Sequence, residues 1–578
     1  MCIAKTHQIE ETLRAAKILS GTKGLKDFMQ AQKLASPQEE VWDVFNRATL
    51  FLAQSGAKFY GNEQIDGYRN RFLTHVSKFE IILGCPILMN SGRKDREKSI
   101  SACSIPPICL SKMSLSEVVS VVGDYHTRGM GTGFCLDDTD DPAAMVKHLN
   151  GVAVSEVERG LVERPVGNMG VLSIHHPKVV SFIRVKTDNP QIKEWKFNLS
   201  INVTQSFIDA WIKDEPFTLW DGQRIDPKIL LQEIAENAHQ TGDPGVVFMD
   251  RINAHNRIPQ AGQYKTVVPC GEVSLFEGEV CQFAYLNLPS FLKGDVLDKE
   301  ALREAVHSAV IMLDNAAEAN IDRMPNEQSK KVIASVRRVG IGVCGFAELI
   351  QQMGLPYDSQ EARIFAMNLM SLINFESKWA SCLLAKERGP FPLFEHPKTQ
   401  KDLFIKPFKK YPTEFVTVED WERLERLFSA HKIRNLATTI LPPTGTSSIL
   451  GGVTGSIEPQ FRLVADASFK KLVEKHSPKY APALLKMAQE SGNIAKSRAP
   501  SFVKKLFQTA VEIAPENHVL MTAAFQRQVD EGISKTVNLP HSASVKNVIE
   551  VFLLAHELGL KGMTIYRDGC REQQPKEL

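Results

Sequence analysis

From Ser544 onward the chain spells out a helix and then a strand in direct succession. Ser544 is a capping residue, apolar spacing runs through Leu558, Gly559 stops it, and Gly562-Met563-Thr564-Ile565-Tyr566 is strand-like. Earlier segments repeat this texture. Phe197 to Thr204 (FNLSINVT) alternates with period two, and Gly245 to Met249 is a buried-strand run. Leu302, Ala305, Val306, Ala309, Val310 and Leu313 form one apolar stripe of helical spacing, expected to pack as a core helix. Strands alternating with helices through parallel-type connections imply an α/β core. No Pro/Ser-rich linker divides it, so one domain is expected over about 81–570, behind a helical region 1–80 and before a short tail, 571–578. In the helical region Ser36-Pro37-Gln38-Glu39 is expected to open a helix continued by Val41, Val44, Phe45, Ala48, Phe51 and Leu52.

The bulk numbers narrow the function classes. With 578 residues, 43% of them hydrophobic and 24% charged, the chain can bury a large core. A net charge of +2 lacks the electrostatic footprint of a nucleic-acid or acidic-membrane binder. Ten cysteines, with no CxxC pair, are too sparse for a disulfide scaffold or a cysteine-pair zinc site. Met1-Cys2-Ile3-Ala4-Lys5 runs into charged sequence without the apolar stretch of a signal peptide, and the longest apolar run, Ile81 to Met89, is too short to span a bilayer. The expectation is a cytoplasmic protein with reduced thiols.

Cys270 and Cys281, eleven residues apart, carry the clearest chemistry. The first lies in Val268-Pro269-Cys270-Gly271-Glu272, and both are expected on a short loop between strand-like runs. An inert core thiol is the commonest fate of an intracellular cysteine. Here, however, Gly271 permits close backbone approach, and Glu272 sets an ionisable acid beside the sulfur, which a structural core seldom accepts unpaired. Thiol, acid and second thiol together suit one-electron sulfur chemistry coupled to proton transfer.

Three other motifs invite a function. Leu441-Pro442-Pro443-Thr444-Gly445-Thr446-Ser447-Ser448 offers backbone N–H groups and hydroxyls to a phosphate, helped by a helix dipole if a helix begins there; a plain capped loop is the equal alternative. Gly129-Met130-Gly131-Thr132-Gly133-Phe134 is glycine-rich, but no helix start follows it, so a dinucleotide site is discounted. His175 and His176 would point to opposite faces of a strand and so do not share a metal ion.

In register, these segments resemble the catalytic subunit of the ribonucleotide reductases, most closely the adenosylcobalamin-dependent class II enzymes. The resemblance covers roughly residues 80–570. It is carried by Cys85-Pro86-Ile87-Leu88-Met89-Asn90-Ser91-Gly92, Ser101-Ala102-Cys103, Gly131 to Phe134, Asn168 to Leu172 and Asp243-Pro244-Gly245. Asp250 to Asn253, the PCGE loop, Arg338 to Gly345, Thr444 to Ser448, Gly455 to Pro459, Lys535 to Pro540 and Tyr566 to Gly569 continue it. It implies a ten-stranded α/β barrel of the ribonucleotide reductase and glycyl-radical type with a central finger loop, and radical reduction of ribonucleoside di- or triphosphates to deoxyribonucleotides for DNA synthesis. By position, Cys270 would carry a thiyl radical, Glu272 would be the general base, and Cys103 and Cys281 would supply two electrons and end as a disulfide. Substrate contacts would come from Asn90, Ser91 (on a pocket strand), Ser101, Ala102, Pro269, Gly271, Thr444, Gly445, Thr446, Ser447 and Ser448; Arg164 and Asn168 would belong to an effector loop. The implied cofactor is adenosylcobalamin, because the eleven-residue gap is of class II length and Tyr566 stands without a second tyrosine. The implied partners are a ribonucleotide, a thioredoxin-like or other external dithiol, and a second copy of the chain.

The chain departs from the family at three places. Val268 replaces an asparagine, Cys135 to Pro142 (CLDDTDDP) is short and acidic where relatives are glycine-rich, and Cys570 stands without the second tail cysteine of relatives. These motivate two alternatives: a radical enzyme acting on another nucleotide or nucleoside, and a non-catalytic nucleotide-binding paralogue.

Overall fold

The computed structural model describes residues 22–163 and 166–570. Ten strands form one sheet: β1 (Ile81–Leu83), β2 (Cys103–Ser104), β3 (Gly131–Cys135), β4 (Asn168–Ser173), β5 (Phe197–Asn202), β6 (Gly245–Val247), β7 (Val280–Asn287), β8 (Val339–Cys344), β9 (Thr536–Leu539) and β10 (Gly562–Arg567). Strands β2 to β6 pair in sequence order, all parallel. On the other side β7 pairs with β8, and β9 with β10, again parallel. Two isolated parallel bridges, Ile341 to Thr439 and Leu441 to Ile533, carry the ladder from β8 through residues 439–441 to the approach of β9. The two parallel halves meet antiparallel at β2/β7 and at β6/β10. The sheet therefore closes on itself as a barrel of two parallel halves, and β1 lies antiparallel along β7.

Two separate apolar clusters show which face of β4 and β6 looks inward. Phe134, Leu172, Phe197, Leu199, Ile201 and Val246 pack outward against the helices Leu115–Thr127, Pro142–Glu158, Pro227–Thr241 and Val545–Glu557. Met169, Val171 and Val247 point the other way, into a cluster with Val267, Val268, Val273 and Leu275 of the β6–β7 connection. Strands buried on both faces read as nearly continuous apolar runs, and each fully buried Leu, Val or Phe adds about 1.5–3 kcal/mol. That second cluster runs on outside the barrel, where the helices before β1 bury Met29, Val44, Phe45, Ala48, Leu52, Phe72 and Val76 beside helix Lys299–Asn320. Leu463 to Phe507 supply a small core of their own on helices Ala467–His476, Ala481–Ser491 and Ser501–Leu506.

Three local expectations change. Ser36–Glu39 forms a turn, with Glu39 accepting from the Ser36 N–H at 2.7 Å and held by Arg47 at 2.6 Å; the helix begins at Val41 under a Glu40/Asp43 capping box. Glu39 thus makes the expected bond back to the Ser36 N–H with one oxygen and pairs with Arg47 through the other, but helical geometry starts only at Val41. Cys85–Asn90, expected as a strand, is a short helix with Pro86 in its first turn, where the missing N–H costs nothing. Cys281 lies on β7 rather than on a loop. The C-terminal unit follows its spacing: Ser544 caps Val545–Glu557, Gly559 adopts φ +79°, and β10 follows.

The β6–β7 connection, residues 248–279, is anchored by the segment just before β9. Buried Asp530 accepts from Arg257 at 2.7 Å, from Lys378 at 2.5 Å and from the Thr438 N–H at 2.8 Å. Burial alone would raise its pKa, but Lys378 and Arg257 outweigh burial and hold it far below the usual carboxylate range. An Asp530→Asn protein keeps the shape and strands two buried cations, so we expect a loss of about 3–5 kcal/mol, measured by urea unfolding at neutral pH. No described helix is long and apolar enough to cross a membrane.

Candidate active site in the barrel lumen

The β6–β7 connection enters the barrel because glycines on the wall let its backbone approach. A Cβ at Gly133 would lie 2.2 Å from the Val267 carbonyl oxygen, and one at Gly131 would lie 3.1 Å from the Pro269 ring. Thr266 Oγ1 donates to the Phe134 carbonyl at 3.0 Å. This contact explains the glycine-rich stretch discounted as a nucleotide motif. From the opposite half, the Gly532 N–H donates to the Glu272 carbonyl at 2.8 Å, and a Cβ at Gly532 would lie 2.9 Å from that oxygen. The tip itself is a tight turn. Gly271 N–H donates to Val268 O at 2.9 Å, Val268 N–H to Val273 O at 3.0 Å, and Gly271 adopts φ +77°, which glycine reaches without strain.

Both arms of the loop are locked by one buried guanidinium. Arg338, immediately before β8, donates to Glu279 at 2.6 Å, to the Tyr264 hydroxyl at 2.7 Å, and to Glu531. Tyr264 lies on the ingoing arm, where it stacks on Phe276 of the outgoing arm at 4.5 Å, and Glu531 adjoins Gly532. Burial would lower the pKa of Arg338, but Glu279 and Glu531 keep it well above its ordinary value.

Register brings the two candidate redox cysteines together. Cys103 on β2 is the ladder partner of Cys281 on β7 and also of Gly131 on β3. Directly paired residues project to the same face, and Gly131 faces the Pro269 ring, so both sulfurs look toward the loop tip. With strands about 4.8 Å apart, Cys103 and Cys281 are direct neighbours, and the Pro269 ring, one residue before Cys270, lies against Gly131 on the strand beside Cys103. Cys103 and Cys281 are buried, whereas Cys270 is exposed on a turn whose neighbours Val268 and Glu272 are buried.

The electrostatics single out Glu272. It is 1% exposed, and burial pushes its pKa up to about 7. Its Oε2 has no hydrogen-bond partner among the described residues. A buried carboxyl oxygen left unmatched costs about 1–3 kcal/mol or more, and such a group in a lumen is an acceptor held in reserve. Burial also raises the Cys281 thiol well above its ordinary value; Arg338 opposes this, while Glu279, Glu531 and Glu272 add to it. The acid and this thiol are thus within electrostatic range.

The remaining expected contacts divide. Asn90 donates to Ser99 O at 2.7 Å, but among the described residues its Oδ1 has no partner, nor has the buried Ser91 Oγ. Ser101 Oγ is taken by Gln282 and Asn320, both at 2.9 Å, and the Ala102 carbonyl by the Gly131 N–H at 2.8 Å; these two build the wall. A helix, Gly445–Gly451, begins at the Thr444–Ser448 loop. Thr444 (φ +61°) accepts the Ser456 N–H (φ +46°) at 3.0 Å, and two such residues store about 1–3 kcal/mol each. Ser448 bonds Gly445 O at 2.8 Å, Thr446 lies 3.4 Å from Gln32, and Ser447 lies 3.5 Å from Cys85, which ties this loop to the Cys85–Ser91 segment. Asn168 is 1% exposed and spends its amide on Thr132, His126 and Lys196 inside the wall, while Arg164 lies outside the described residues. His175 bonds Thr204 and His176 the Thr139 carbonyl.

The family model for the ribonucleotide reductase barrel domain matches residues 136–566. The chain belongs to the ribonucleotide reductase family. Among curated members it is 33% identical to the vitamin B12-dependent ribonucleoside-diphosphate reductase of Thermoplasma acidophilum, over 94% of this chain and 72% of that one. It is 32% identical to the protein of the same name from Mycobacterium tuberculosis, strain CDC 1551, over 93% and 77%. The class Id ribonucleotide reductase alpha subunit of Actinobacillus ureae shares the fold, with a TM-score of 0.73 at 18% identity over 94% of this chain and 96% of that one. Within this reductase, sequence reasoning missed Arg338 as a clamp, Gly532 as a wall contact and Asn198, whose Nδ2 donates to the Pro269 carbonyl at 2.8 Å. The polar positions of FNLSINVT held a signal for Asn198, since one face of that strand looks into the lumen.

Proposed function

We propose that the chain reduces ribonucleotides to 2′-deoxyribonucleotides by radical chemistry at Cys270, and the observation that carries this is the Cys103–Cys281 register beneath the Cys270–Glu272 turn. The names of its relatives favour nucleoside diphosphates and a vitamin B12 cofactor. Adenosylcobalamin fits the residues at one decisive point. Cys270 is exposed while Val268, Pro269 and Glu272 of the same turn are buried, and Asn198, which bonds the Pro269 carbonyl, is exposed as well. When bound, that cofactor supplies the one-electron oxidising equivalent through homolysis of its cobalt–carbon bond.

The residues of the chain then divide the work. The Cys270 thiyl takes hydrogen from C3′ of the ribose, and Glu272 accepts the 3′-hydroxyl proton. The 2′-hydroxyl leaves as water. Cys103 and Cys281 give two electrons and two protons and join as a disulfide, after which Cys270 returns hydrogen to C3′. An external dithiol reduces the disulfide by exchange. The unpartnered Asn90 and Ser91 oxygens suit the nucleotide's hydroxyls, and the Thr444–Ser448 helix start suits its phosphates. Incubation with adenosylcobalamin, a dithiol and each ribonucleoside di- and triphosphate tests this. Deoxynucleotide should form, and a product retaining its 2′ oxygen would show a different radical reaction.

Glu272 sets a pH dependence. A base must be ionised, so with its pKa raised to about 7 the rate should climb as pH rises through 7. Glu272→Gln should remove that limb and lower kcat by about 10²–10⁴-fold, read from pH profiles of both proteins. Stability runs the opposite way. An acid that holds its proton longer when folded costs stability as pH rises from its ordinary 4.5 through about 7. The glutamine variant should therefore lose less stability over that window.

A further inference from the structure

We propose that Asn198 is a positioning residue for the Cys270 thiol, acting through the Pro269 carbonyl; this deepens the radical reading of Cys270. Within β5, Phe197, Leu199, Ser200 and Ile201 are buried and Asn198 is exposed. Register explains how a residue in a barrel wall stays open. Asn198 is the ladder partner of Met169, which pairs with Gly133, and Gly133 is the residue whose missing Cβ admits the Val267 carbonyl. That row faces the loop, so Asn198 opens onto the lumen. Its Nδ2 donates to the Pro269 carbonyl oxygen at 2.8 Å.

The chemistry of proline makes this contact decisive. The ring fixes φ of Pro269 near −65°, which leaves ψ as the one soft angle directing the peptide into Cys270. Binding the carbonyl oxygen from the wall fixes that angle. Gly271 N–H to Val268 O closes the turn across the Pro269–Cys270 peptide, Val268 N–H to Val273 O and Gly532 N–H to Glu272 O hold its two sides, and the Asn198 bond from the wall fixes which way the Pro269 carbonyl points. Val268 is fully buried and carries no polar side-chain group to do so. Asn198 thus sets the direction in which the Cys270 Cα–Cβ bond enters the lumen.

The test uses Asn198→Ala and the near-isosteric Asn198→Asp, neither of which can donate to Pro269 O at neutral pH. A misaimed radical sulfur should lower kcat by about 10- to 100-fold and leave KM for the nucleotide within about threefold. Hydrogen abstraction should become more rate-limiting, so the isotope effect with 3′-deuterated nucleotide should rise. Without cofactor, amide exchange across 268–273 should quicken while β3 and β4 keep their protection. Normal kcat, a loss confined to KM, or an unchanged isotope effect and unchanged tip protection would each overturn the assignment. Turnover by a Cys270→Ser protein would instead overturn the radical reading itself.

Discussion

A Cys270→Ser protein is expected to bind ribonucleotide and to form no deoxyribonucleotide, a loss of at least about 10³-fold, or ~4 kcal/mol of barrier. The change replaces one atom. An O–H bond is much stronger than an S–H bond, so serine can neither be oxidised to a radical by the same agent nor return hydrogen to carbon as sulfur does. The fold should be untouched, because position 270 is exposed on a turn held by backbone bonds from Gly271, Val268 and Gly532. Nucleotide binding by calorimetry, unchanged beside absent product, separates chemistry from misfolding. Product at even a tenth of the parental rate sinks the radical role.

A Cys281→Ser protein is expected to lose steady-state turnover by at least about 10²-fold, roughly 2.7 kcal/mol of barrier, while leaving Cys270 able to begin the reaction. Opposed residues of an antiparallel pair have Cα atoms about 4.5–5.5 Å apart, inside the roughly 4.4–6.8 Å that a disulfide requires. Cys103 and Cys281 hold that relation in the ladder. With one sulfur gone, two electrons cannot be delivered as a disulfide, whatever the external reductant. Thiol titration across a single turnover should show the parent losing two thiols per product and the variant none. Equal thiol loss in the two proteins would place the reductant elsewhere.

Much of this site could be seen in residue spacing. The pentapeptide around Cys270 marks a short loop carrying a thiol and an acid, and the prolines before Thr444 mark the end of an extended run followed by hydroxyl residues, where the structure, and not the spacing, decides that a helix begins. Other parts had no local signature. Ser36–Glu39 has the pattern of a helix start and becomes a turn, in which Glu39 bonds the Ser36 N–H as a capping box would and also pairs with Arg47, nearly two turns into the helix that begins at Val41. Cys85–Asn90, which the family resemblance implied to be a pocket strand, is helical, and an apolar run of that length is compatible with either period. Asn198 sits at an alternating polar position that normally means solvent, and here the solvent side is a lumen.

The class of fold and the reactive types of residue are legible in the order of amino acids, because periodicity, capping and turn chemistry act over a few neighbours. That order also placed Gly131, Gly133 and Gly532 where the loop backbone or the Pro269 ring presses on the wall. Tertiary structure alone decided that Cys103 faces Cys281, that Glu272 is sealed from water with one oxygen unmatched, and that Arg338 and Asn198 aim the loop. Register between distant strands and the dielectric around a carboxyl are properties of the closed barrel. Both depend on segments hundreds of residues apart meeting in space, which no local pattern encodes.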